Sequence, residues 1–431
     1  MKKLIIIFLG LLSFCKLSFG QATVYPAKPQ EKPIAIVGAT IHTGTGQVIE
    51  NGYITFEKGK ITAIGDASVV RFNANTTDII SAAGKHIYPG FIAPMTNLGL
   101  VEIEAIRATN DDDEVGMMNP HVRSIIAYNT DSKVPNTLRS NGILLAHIVP
   151  QGGVISGESS IVELDGWNWE DAAYKTDMAV FMNWPSSELS GRFNAPPAET
   201  QRENTQKEIS EIQKYFAEAK AYSEIKKPEV NNTRFTSMKG LFNGSKKLIV
   251  RTDNSKDIIA AVKYFKSIGI TPIIAGATDA HLITGFLKDN QVSLIINQPH
   301  SLPNSDDQDV YLPYKQAKIL SDAGINFAIS INGYWQQRNL PFMAGTAAAY
   351  GLTKEQALAS ITLNAAKILG IDKTVGSLEV GKDATLFVSK GDALDMMSND
   401  VDQAFIRGKT LDLDNLHKQL FKRFTQKYEG K

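Results

Sequence analysis

Short apolar runs separated by amphipathic segments make up most of the chain between residues 89 and 374. Seven runs have the length and composition of buried strands, at residues 91–96, 143–149, 178–182, 248–252, 272–276, 292–297 and 326–331. Apolar residues recur at helical spacing in the intervening residues 256–266 and 315–323. This alternation predicts an α/β fold with a TIM-like (β/α)8 barrel, although the pattern does not locate an eighth strand.

Strand patterns also flank the barrel region on both sides. Residues 34–44, 53–65 and 76–90 precede it with glycine-containing turns, and residues 375–411 return to strands after it. The two segments, residues 34–88 and 375–411, are therefore predicted to be strand-rich regions on either side of the barrel, residues 89–374.

Residues 352–370 carry the clearest helix pattern. Thr353 and Gln356 have the spacing of a capping box, and Gly370 supplies a helix stop. The apolar face is formed by Leu358, Ile361, Ala365 and Ile368. The pattern predicts one continuous helix that packs against the barrel.

Two further helices are predicted outside the barrel wall. Residues 203–227 form a charged helix with a narrow apolar face, which favours a surface helix over the alternative of a lid on the pocket. Residues 412–431 form a basic terminal helix, read as a solvated or docking tail.

The first twenty residues have the pattern of a secretory signal peptide. Two lysines precede an apolar run that is too short to span a bilayer comfortably, and Ser18 and Gly20 mark a cleavage site. Residues 21–33 then read as a linker. The chain's single cysteine, Cys15, lies inside the signal, and Phe14 and Lys16 fit poorly with its acylation as a lipoprotein. The pattern predicts a periplasmic or secreted protein without disulfides and without a membrane span after cleavage.

The amino-acid composition argues only against binding that depends on a large net charge. The 431 residues carry 45 Lys and Arg against 45 Asp and Glu, and 43% are hydrophobic. A neutral chain with an ordinary hydrophobic content is typical of a globular protein and argues against a nucleic-acid partner.

Three stretches resemble the amidohydrolase superfamily, in particular its imidazolonepropionase-like members. They are KHIYPGFIAPMTNLGL at 85–100, LTKEQALASITLNAAKILG at 352–370 and VGSLEVGKDATLFV at 375–388. The first is similar to the family's first barrel strand, and the second to its signature helix. The resemblance extends over about residues 34–411. It implies that residues 34–88 and 375–411 form one composite β-sandwich domain, into which the barrel of residues 89–374 is inserted. It also implies that the ancestral activity was hydrolysis by metal-activated water.

The residues at the family's metal and base positions are replaced. Met95 and Asn97 stand where the resemblance implies two histidine ligands, and Arg251 and Gly276 stand at two further imidazole positions. Asn332 replaces the carboxylate that would act as general base. Thioether, amide and guanidinium groups are poor ligands for hard divalent cations, so we expect no metal cofactor and no ancestral metal-dependent hydrolase activity.

Other polar residues close to predicted strand ends could line the barrel mouth. They are His147, Asp253, Asp279, His281 and His300. Each could belong to a rebuilt centre, but for the histidines a satisfied structural role is the simpler interpretation. Arg251 and Asp253 could equally form a buried or half-buried ion pair.

The acidic run at residues 110–114 follows the first barrel strand. Carboxylates in such a loop could bind a cation such as calcium, but they are more often solvated loop charge. We interpret the run as loop charge.

The leading hypothesis is an exported protein with an amidohydrolase fold that works as a non-catalytic binding or partner subunit. This hypothesis suggests one of three partners: a small-molecule ligand, an active amidohydrolase homologue or a second copy of the chain. The alternative is an active hydrolase of C–N bonds in cyclic amides or similar compounds, with a rebuilt centre and zinc as its cofactor. A purely structural protein would instead have a filled barrel mouth.

Overall fold

The computed structural model describes residues 24–303 and 307–429. The predicted signal peptide, Cys15 and the first residues of the predicted linker lie outside the described residues. Within the described residues, no helix has the length and apolar character needed to cross a membrane.

The described elements are sixteen strands and eleven helices, together with short 3-10 turns. The strands are β1 Ile34–His42, β2 Val48–Glu57, β3 Lys60–Asp66, β4 Asp78–Ser81, β5 His86–Pro89, β6 Phe91–Thr96, β7 Ile143–Ile148, β8 Ile155–Glu163, β9 Ala173–Asn183, β10 Lys247–Thr252, β11 Ile273–Gly276, β12 Leu294–Ile296, β13 Phe327–Ile329, β14 Leu386–Ser389, β15 Val401–Ile406 and β16 Lys409–Thr410. The helices are α1 Lys133–Arg139, α2 Trp169–Ala172, α3 Ala198–Glu224, α4 Thr233–Asn243, α5 Ser255–Ser267, α6 Thr284–Asp289, α7 Leu312–Asp322, α8 Leu340–Ala349, α9 Lys354–Ser360, α10 Leu363–Leu369 and α11 Leu416–Glu429.

Strands β6 to β13 form an eight-stranded, nearly closed barrel in sequence order. The seven strands predicted from apolar runs are β6, β7 and β9 to β13, and they run parallel to one another. The missing eighth strand is β8, which pairs antiparallel with both β7 and β9. The barrel is therefore a variant of the (β/α)8 pattern, because the chain passes from β7 through β8 to β9 without a long helical crossover.

Side chains link the two terminal strands of the barrel sheet, β6 and β13. Ser330, just after β13, donates from Oγ to the carbonyl oxygen of Met95 at 3.1 Å. The buried Gln337 donates from Nε2 to the same oxygen at 3.3 Å. Thr96 donates to the carbonyl oxygen of Gly333 at 3.4 Å. These bonds hold the ends of β6 and β13 together at the mouth.

The barrel interior is filled by apolar side chains below the mouth. Its inward-facing residues form one buried cluster that includes Ile92, Leu145, Phe181, Ile249 and Ile295. Because strand residues alternate between faces, the next inward position along β10 after Ile249 is Arg251. The sequence thus places a packed floor beneath polar side chains at the strand ends.

The second sheet combines strands from both ends of the sequence, in the order β16-β15-β14-β5-β1-β2-β3, with β4 paired to β1. Strand β14 pairs antiparallel with β5, which directly precedes the first barrel strand. Ile36, Ile54, Phe56, Leu386 and Phe405 are buried in a core of its own. The expectation of a barrel inserted into a composite sheet domain agrees with this topology, with all eight strands joined in one hydrogen-bonded sheet.

The predicted helix at 352–370 is two helices, α9 and α10. The capping box of Thr353 and Gln356 is present, and Gly370 ends α10 in the left-handed conformation. The prediction of a continuous helix was wrong at Thr362, which has φ −131° and ψ −95°. The break frees the carbonyl of Ile361 to accept a hydrogen bond from the Ile92 amide of β6 at 2.9 Å. Tertiary contact with the barrel has overridden helical periodicity.

The charged helix α3 packs on the outside of the barrel. Ile212, Phe216 and Ala219 are buried, and the Phe216 ring lies 5.0 Å from that of Phe265 on α5. The residues that line the barrel mouth do not include any from α3. This placement agrees with a surface helix and not with a lid.

Candidate functional site

A pocket of about 300 Å³ occupies the barrel mouth. It is lined by Met95, Thr96, Asn97, Asp112, Gln151, Arg251, Ile331, Asn332 and Gly333. Four of the five substituted positions therefore meet in one pocket, because the carboxyl ends of parallel barrel strands converge at the same end. We call this space the mouth pocket.

Asn97 links the first strand to the acidic loop. Its Nδ2 donates to Oδ2 of Asp112 at 2.9 Å. The backbone amide of Gln151 donates to the Asp112 carbonyl, so the acidic loop and the turn before β8 are joined across the mouth. Residues 110–114 were interpreted as solvated loop charge, yet Asp112 lines the pocket.

Arg251 is the cation of the mouth pocket. It is half-buried on the inner face of β10, with its guanidinium carbon 6.0 Å from the centroid of the Phe181 ring. Its Nη1 donates to Oε1 of Gln151 at 3.1 Å. Burial lowers the pKa of Arg251, and the negative charge of Asp253 opposes that shift. A guanidinium nevertheless stays charged at physiological pH.

The alternative of an Arg251–Asp253 ion pair was wrong. No ion pair within 4.0 Å involves either residue in the described part of the chain. Asp253 turns instead to accept hydrogen bonds from Thr278 Oγ1 at 2.6 Å and Asn297 Nδ2 at 3.3 Å. Arg251 is left with an amide partner and a distant carboxylate.

Gly276 lies beside Asp253 and is not among the residues lining the mouth pocket. It has φ +89°, and a Cβ at this position would lie 2.7 Å from Oδ1 of Asp253. Only glycine satisfies both the backbone conformation and the close approach. Asp253 therefore occupies the space into which any side chain at position 276 would have to project.

Asn332 joins the mouth pocket to a smaller one. Its backbone amide donates to Oε1 of Gln298 at 3.0 Å. Asn332, Asn297, Thr278 and Gln316 line a neighbouring cavity of about 120 Å³. The smaller cavity is thus a neighbour of the mouth pocket, with amide and hydroxyl groups in its wall.

His147 is inside the barrel wall, not at the mouth. Its Nδ1 donates to the Pro94 carbonyl oxygen at 2.8 Å, and its Nε2 lies 2.8 Å from Ser159 Oγ. A carbonyl oxygen can only accept, so Nδ1 carries the proton and Nε2 accepts from the serine. Complete burial lowers the pKa of His147 to about 4. The residue is a neutral, fully bonded core histidine, as its structural interpretation predicted.

Asp279 caps the 3-10 turn after β11 that contains His281, whereas His300 follows β12. His281 is within 3.3 Å of the Thr278 carbonyl, and His300 Nε2 is 2.7 Å from Oγ1 of Thr346. Asp279 accepts from the Ser255 amide at the start of α5. The lining of the mouth pocket includes neither these three residues nor His147 and Asp253. Asp253 and Asp279 are neighbours, since the Asp279 amide donates to the Asp253 carbonyl oxygen at 2.9 Å. The five candidates of a rebuilt centre nevertheless do not converge in the mouth pocket.

The residues at the mouth do not fit a catalytic divalent cation. The polar and sulfur-bearing side chains present are a thioether, a hydroxyl, three primary amides and a guanidinium, and the single carboxylate, Asp112, is bonded to Asn97. Over residues 24–303 and 307–429, no three His, Cys, Asp or Glu side chains are grouped so that they could hold a metal ion.

The sequence did not predict Gln151 and Asp112 as site residues. At the mouth they are the hydrogen-bond partners of Arg251 and Asn97, respectively. Both lie in loops, where hydrophobic periodicity gives no position. The signal that could have found Gln151 is the Gly152-Gly153 pair after it, since both glycines have positive φ and mark a tight turn at a strand end.

Comparisons with known proteins agree with this architecture. The family model described as "Amidohydrolase family" matches residues 314–411. An imidazolonepropionase of Fusobacterium nucleatum is 25% identical over 378 residues, which cover 79% of this chain and 86% of that protein. An imidazolonepropionase of Flavobacterium psychrophilum is 30% identical over 112 residues, 24% of this chain and 27% of that protein.

A solved structure shows the same fold. The crystal structure of an amidohydrolase from Thermotoga maritima matches with a TM-score of 0.75 and 21% identity, over 88% of this chain and 99% of that one. The family itself is given by the family model and by the sequence similarity to imidazolonepropionases: this protein belongs to the amidohydrolase superfamily and is imidazolonepropionase-like.

Proposed function

We propose that this protein is an exported, non-catalytic member of its superfamily that binds a small carboxylate-bearing molecule in the mouth pocket. The observation that carries the proposal is Arg251, a half-buried cation that faces the pocket without a carboxylate partner among the described residues. Arg251 also stands at a position where the family resemblance implies a metal ligand.

The chemistry of Arg251 supports an anionic ligand. A guanidinium has five N–H donors in a planar fork that matches a carboxylate, and one of them is used on Gln151. Amide groups of Asn97 and Asn332 supply donors and acceptors for the rest of a polar molecule. The volume of about 300 Å³ lies at the small end of ligand sites, which favours a compact metabolite.

The same residues argue against hydrolysis. Asn332 has no useful proton affinity, and Asp253 is occupied by Thr278 and Asn297. A rebuilt zinc-dependent centre would need His147, Asp279, His281 and His300 to converge, but none of them lines the mouth pocket. Among the described residues, no three His, Cys, Asp or Glu side chains are grouped so that they could hold a metal ion. The binding role is therefore favoured over hydrolysis of a cyclic amide.

Export and assembly belong to the same proposal. Residues 1–20 have a signal-peptide pattern, which supports a periplasmic or secreted location. A binding subunit of this fold would serve a homologue that retains its metal, or a second copy of this chain. Co-purification of the exported protein with a metal-containing homologue tests this part.

A thermal-shift experiment tests the ligand. The probes are N-acetylglycine and hydantoin-5-acetate, with N-acetylglycinamide and hydantoin as uncharged counterparts. We expect the two acids to stabilise the protein and their counterparts to have no effect, since a ligand that binds only the folded state raises the unfolding temperature. Arg251→Gln should abolish the shift, and the exposed Arg71→Gln should retain it.

Two results would overturn the proposal. One is an equal shift from the acids in the Arg251→Gln variant. The other is one equivalent of tightly bound zinc in the purified protein together with hydrolysis of hydantoin.

A further inference from the structure

A second and larger pocket, of about 840 Å³, lies between the barrel and the composite sheet. We call it the junction pocket. Its cations are Lys58, Lys60, Lys175, Lys373, Arg407 and Lys409. It is also within the size range of small-molecule sites.

The junction pocket is at the opposite end of the barrel from the mouth pocket. Lys175 lies near the start of β9, whereas Arg251 lies near the end of the parallel neighbouring strand β10. Lys58 lies in the turn between β2 and β3 of the sheet, Lys60 begins β3, and Arg407 lies in the turn before β16. The site is thus built by both parts of the fold, and none of its residues line the mouth.

Two of the three acids in the pocket are already paired. Asp383 is buried and bonded to Lys60 at 2.6 Å and to the Tyr174 hydroxyl at 2.8 Å. Glu163 is buried, with Oε1 2.7 Å from Nε of Arg407. Burial nevertheless raises the pKa of Glu163 to about 7, against the attraction of Arg407 and Lys409. These acids contribute little uncompensated negative charge.

Three of the cations lack a carboxylate partner in the described part of the chain. Lys58 and Lys373 are exposed and form no ion pair there. Lys175 donates to the Gly370 carbonyl at 3.1 Å. Its pKa is lowered by burial and then by the nearby Lys247, and the negative charge of Asp372 opposes that shift only in part. Asp171 is the one remaining acid in the lining. Cations that repel one another around a cavity are stabilised when an anion enters.

The walls add a less polar surface. The Tyr174 ring is half-buried beneath the Arg407 guanidinium at 4.9 Å, and the buried Ile371 lies beside it in the lining. Hydrogen bonds from the Tyr174 hydroxyl to Thr374 at 2.6 Å and to Asp383 fix the ring in place. The less polar part of an organic ligand can therefore contact the Tyr174 ring, while its charged groups contact the lysines.

We propose that the junction pocket binds a small organic anion that carries two or more negative charges, such as a polycarboxylate or a phosphate ester. Lys58, Lys175 and Lys373 bind its charged groups, and Tyr174 supports its body. This site is separate from the mouth pocket and does not depend on the function proposed for it.

Isothermal titration at low ionic strength tests the site, with citrate and tripolyphosphate as probes. We expect at least one probe to bind with a Kd below about 1 mM. The variant Lys58→Gln, Lys175→Gln, Lys373→Gln should weaken it by about tenfold or more. Tighter binding of citrate would identify a carboxylate ligand, and tighter binding of tripolyphosphate a phosphate ligand.

Two controls separate this site from general charge effects. Lys226→Gln, Lys422→Gln, Lys427→Gln makes the same change in net charge on exposed surfaces and should leave the affinity within about twofold. Arg251→Gln should also retain binding, since it alters only the mouth pocket. Failure of both probes to bind, an equal loss in the exposed triple variant, or loss in Arg251→Gln would overturn the proposal.

Discussion

Arg251 donates from Nη1 to the side-chain oxygen of Gln151 at 3.1 Å, so a neutral amide holds the cation of the barrel mouth. A carboxylate would have neutralised the guanidinium, whereas an amide leaves its charge in place. The free protein therefore retains an electrostatic cost that a bound acid would remove.

We predict that Arg251→Met stabilises the free protein by about 1 kcal/mol, because it removes a half-buried charge that lacks a carboxylate partner. The same variant should lose the stabilisation by hydantoin-5-acetate. Urea unfolding with and without the acid measures both effects. Destabilisation of the free protein by more than about 1 kcal/mol would instead mean that Arg251 is a structural residue.

Gly276→Ala is expected to destabilise the fold by about 1–3 kcal/mol, because the new Cβ meets Asp253 and the backbone has positive φ. The matched control is Gly285→Ala on α6, where a Cβ meets no atom within 4 Å and φ is not positive. That change should be neutral or slightly stabilising. Equal unfolding free energies for the two variants would refute the steric account.

The buried His147 makes the free energy of unfolding depend on pH in a defined direction. Its folded pKa of about 4 is below the unfolded value of about 6.5, so the unfolded chain binds the extra proton. The stabilising contribution is complete above pH about 6.5 and is lost as the pH falls towards 4, by about 3 kcal/mol. His147→Gln should lower stability at neutral pH and flatten this part of the profile.

Urea unfolding between pH 7 and pH 4 checks the His147 prediction. The exposed His417→Gln controls for removal of a histidine and should leave the wild-type slope. Parallel profiles for wild type and His147→Gln would contradict it.

Restoring histidines at the first strand alone should not restore a metal site. Met95→His with Asn97→His returns two imidazoles, but the permanent charge of Arg251 in the same pocket repels a cation. We expect the addition of Arg251→His to raise zinc affinity by more than about tenfold. Competition with a chromophoric chelator measures it.

The control for this series adds Arg71→His to the same double variant. If the double variant binds zinc as tightly as the one with Arg251→His, Arg251 is not the obstacle.

Hydrophobic patterning was enough to locate the parallel strands of the barrel. Strand β6 has the predicted bounds, and the end of that strand leads to Asn97 at the mouth. Equivalent positions on other strands meet because the geometry of a parallel barrel requires it. The gathering of Met95, Asn97, Arg251 and Asn332 in one pocket follows from topology and needs no knowledge of their contacts.

Strand β8 could not be found in this way. Its sequence, ISGESSIVE, lacks apolar alternation, yet all nine residues are buried. Two of its polar residues have hydrogen-bond partners on other strands or loops, His147 for Ser159 and Lys246 for Glu158. The segment forms a strand because it pairs with its neighbours across the sheet, and hydrophobic periodicity along one segment does not encode such pairing.

The direction in which polar side chains point was the other feature that the sequence could not predict. The sequence placed Asp253 and His147 near strand ends, but Asp253 turns to Thr278 and His147 lies inside the wall. Which way a polar residue turns depends on partners that are distant in the chain, 53 residues away in the bond from His147 to Pro94.

Strand β8 also ties together the two ends of the barrel. The turn that enters it carries Gln151 at the mouth pocket, and its last residue, Glu163, lines the junction pocket. A slip of one residue along this strand would turn Ser159 away from His147 and shift both sites at once. A ligand held at either end therefore fixes the alignment of the strand that builds the other.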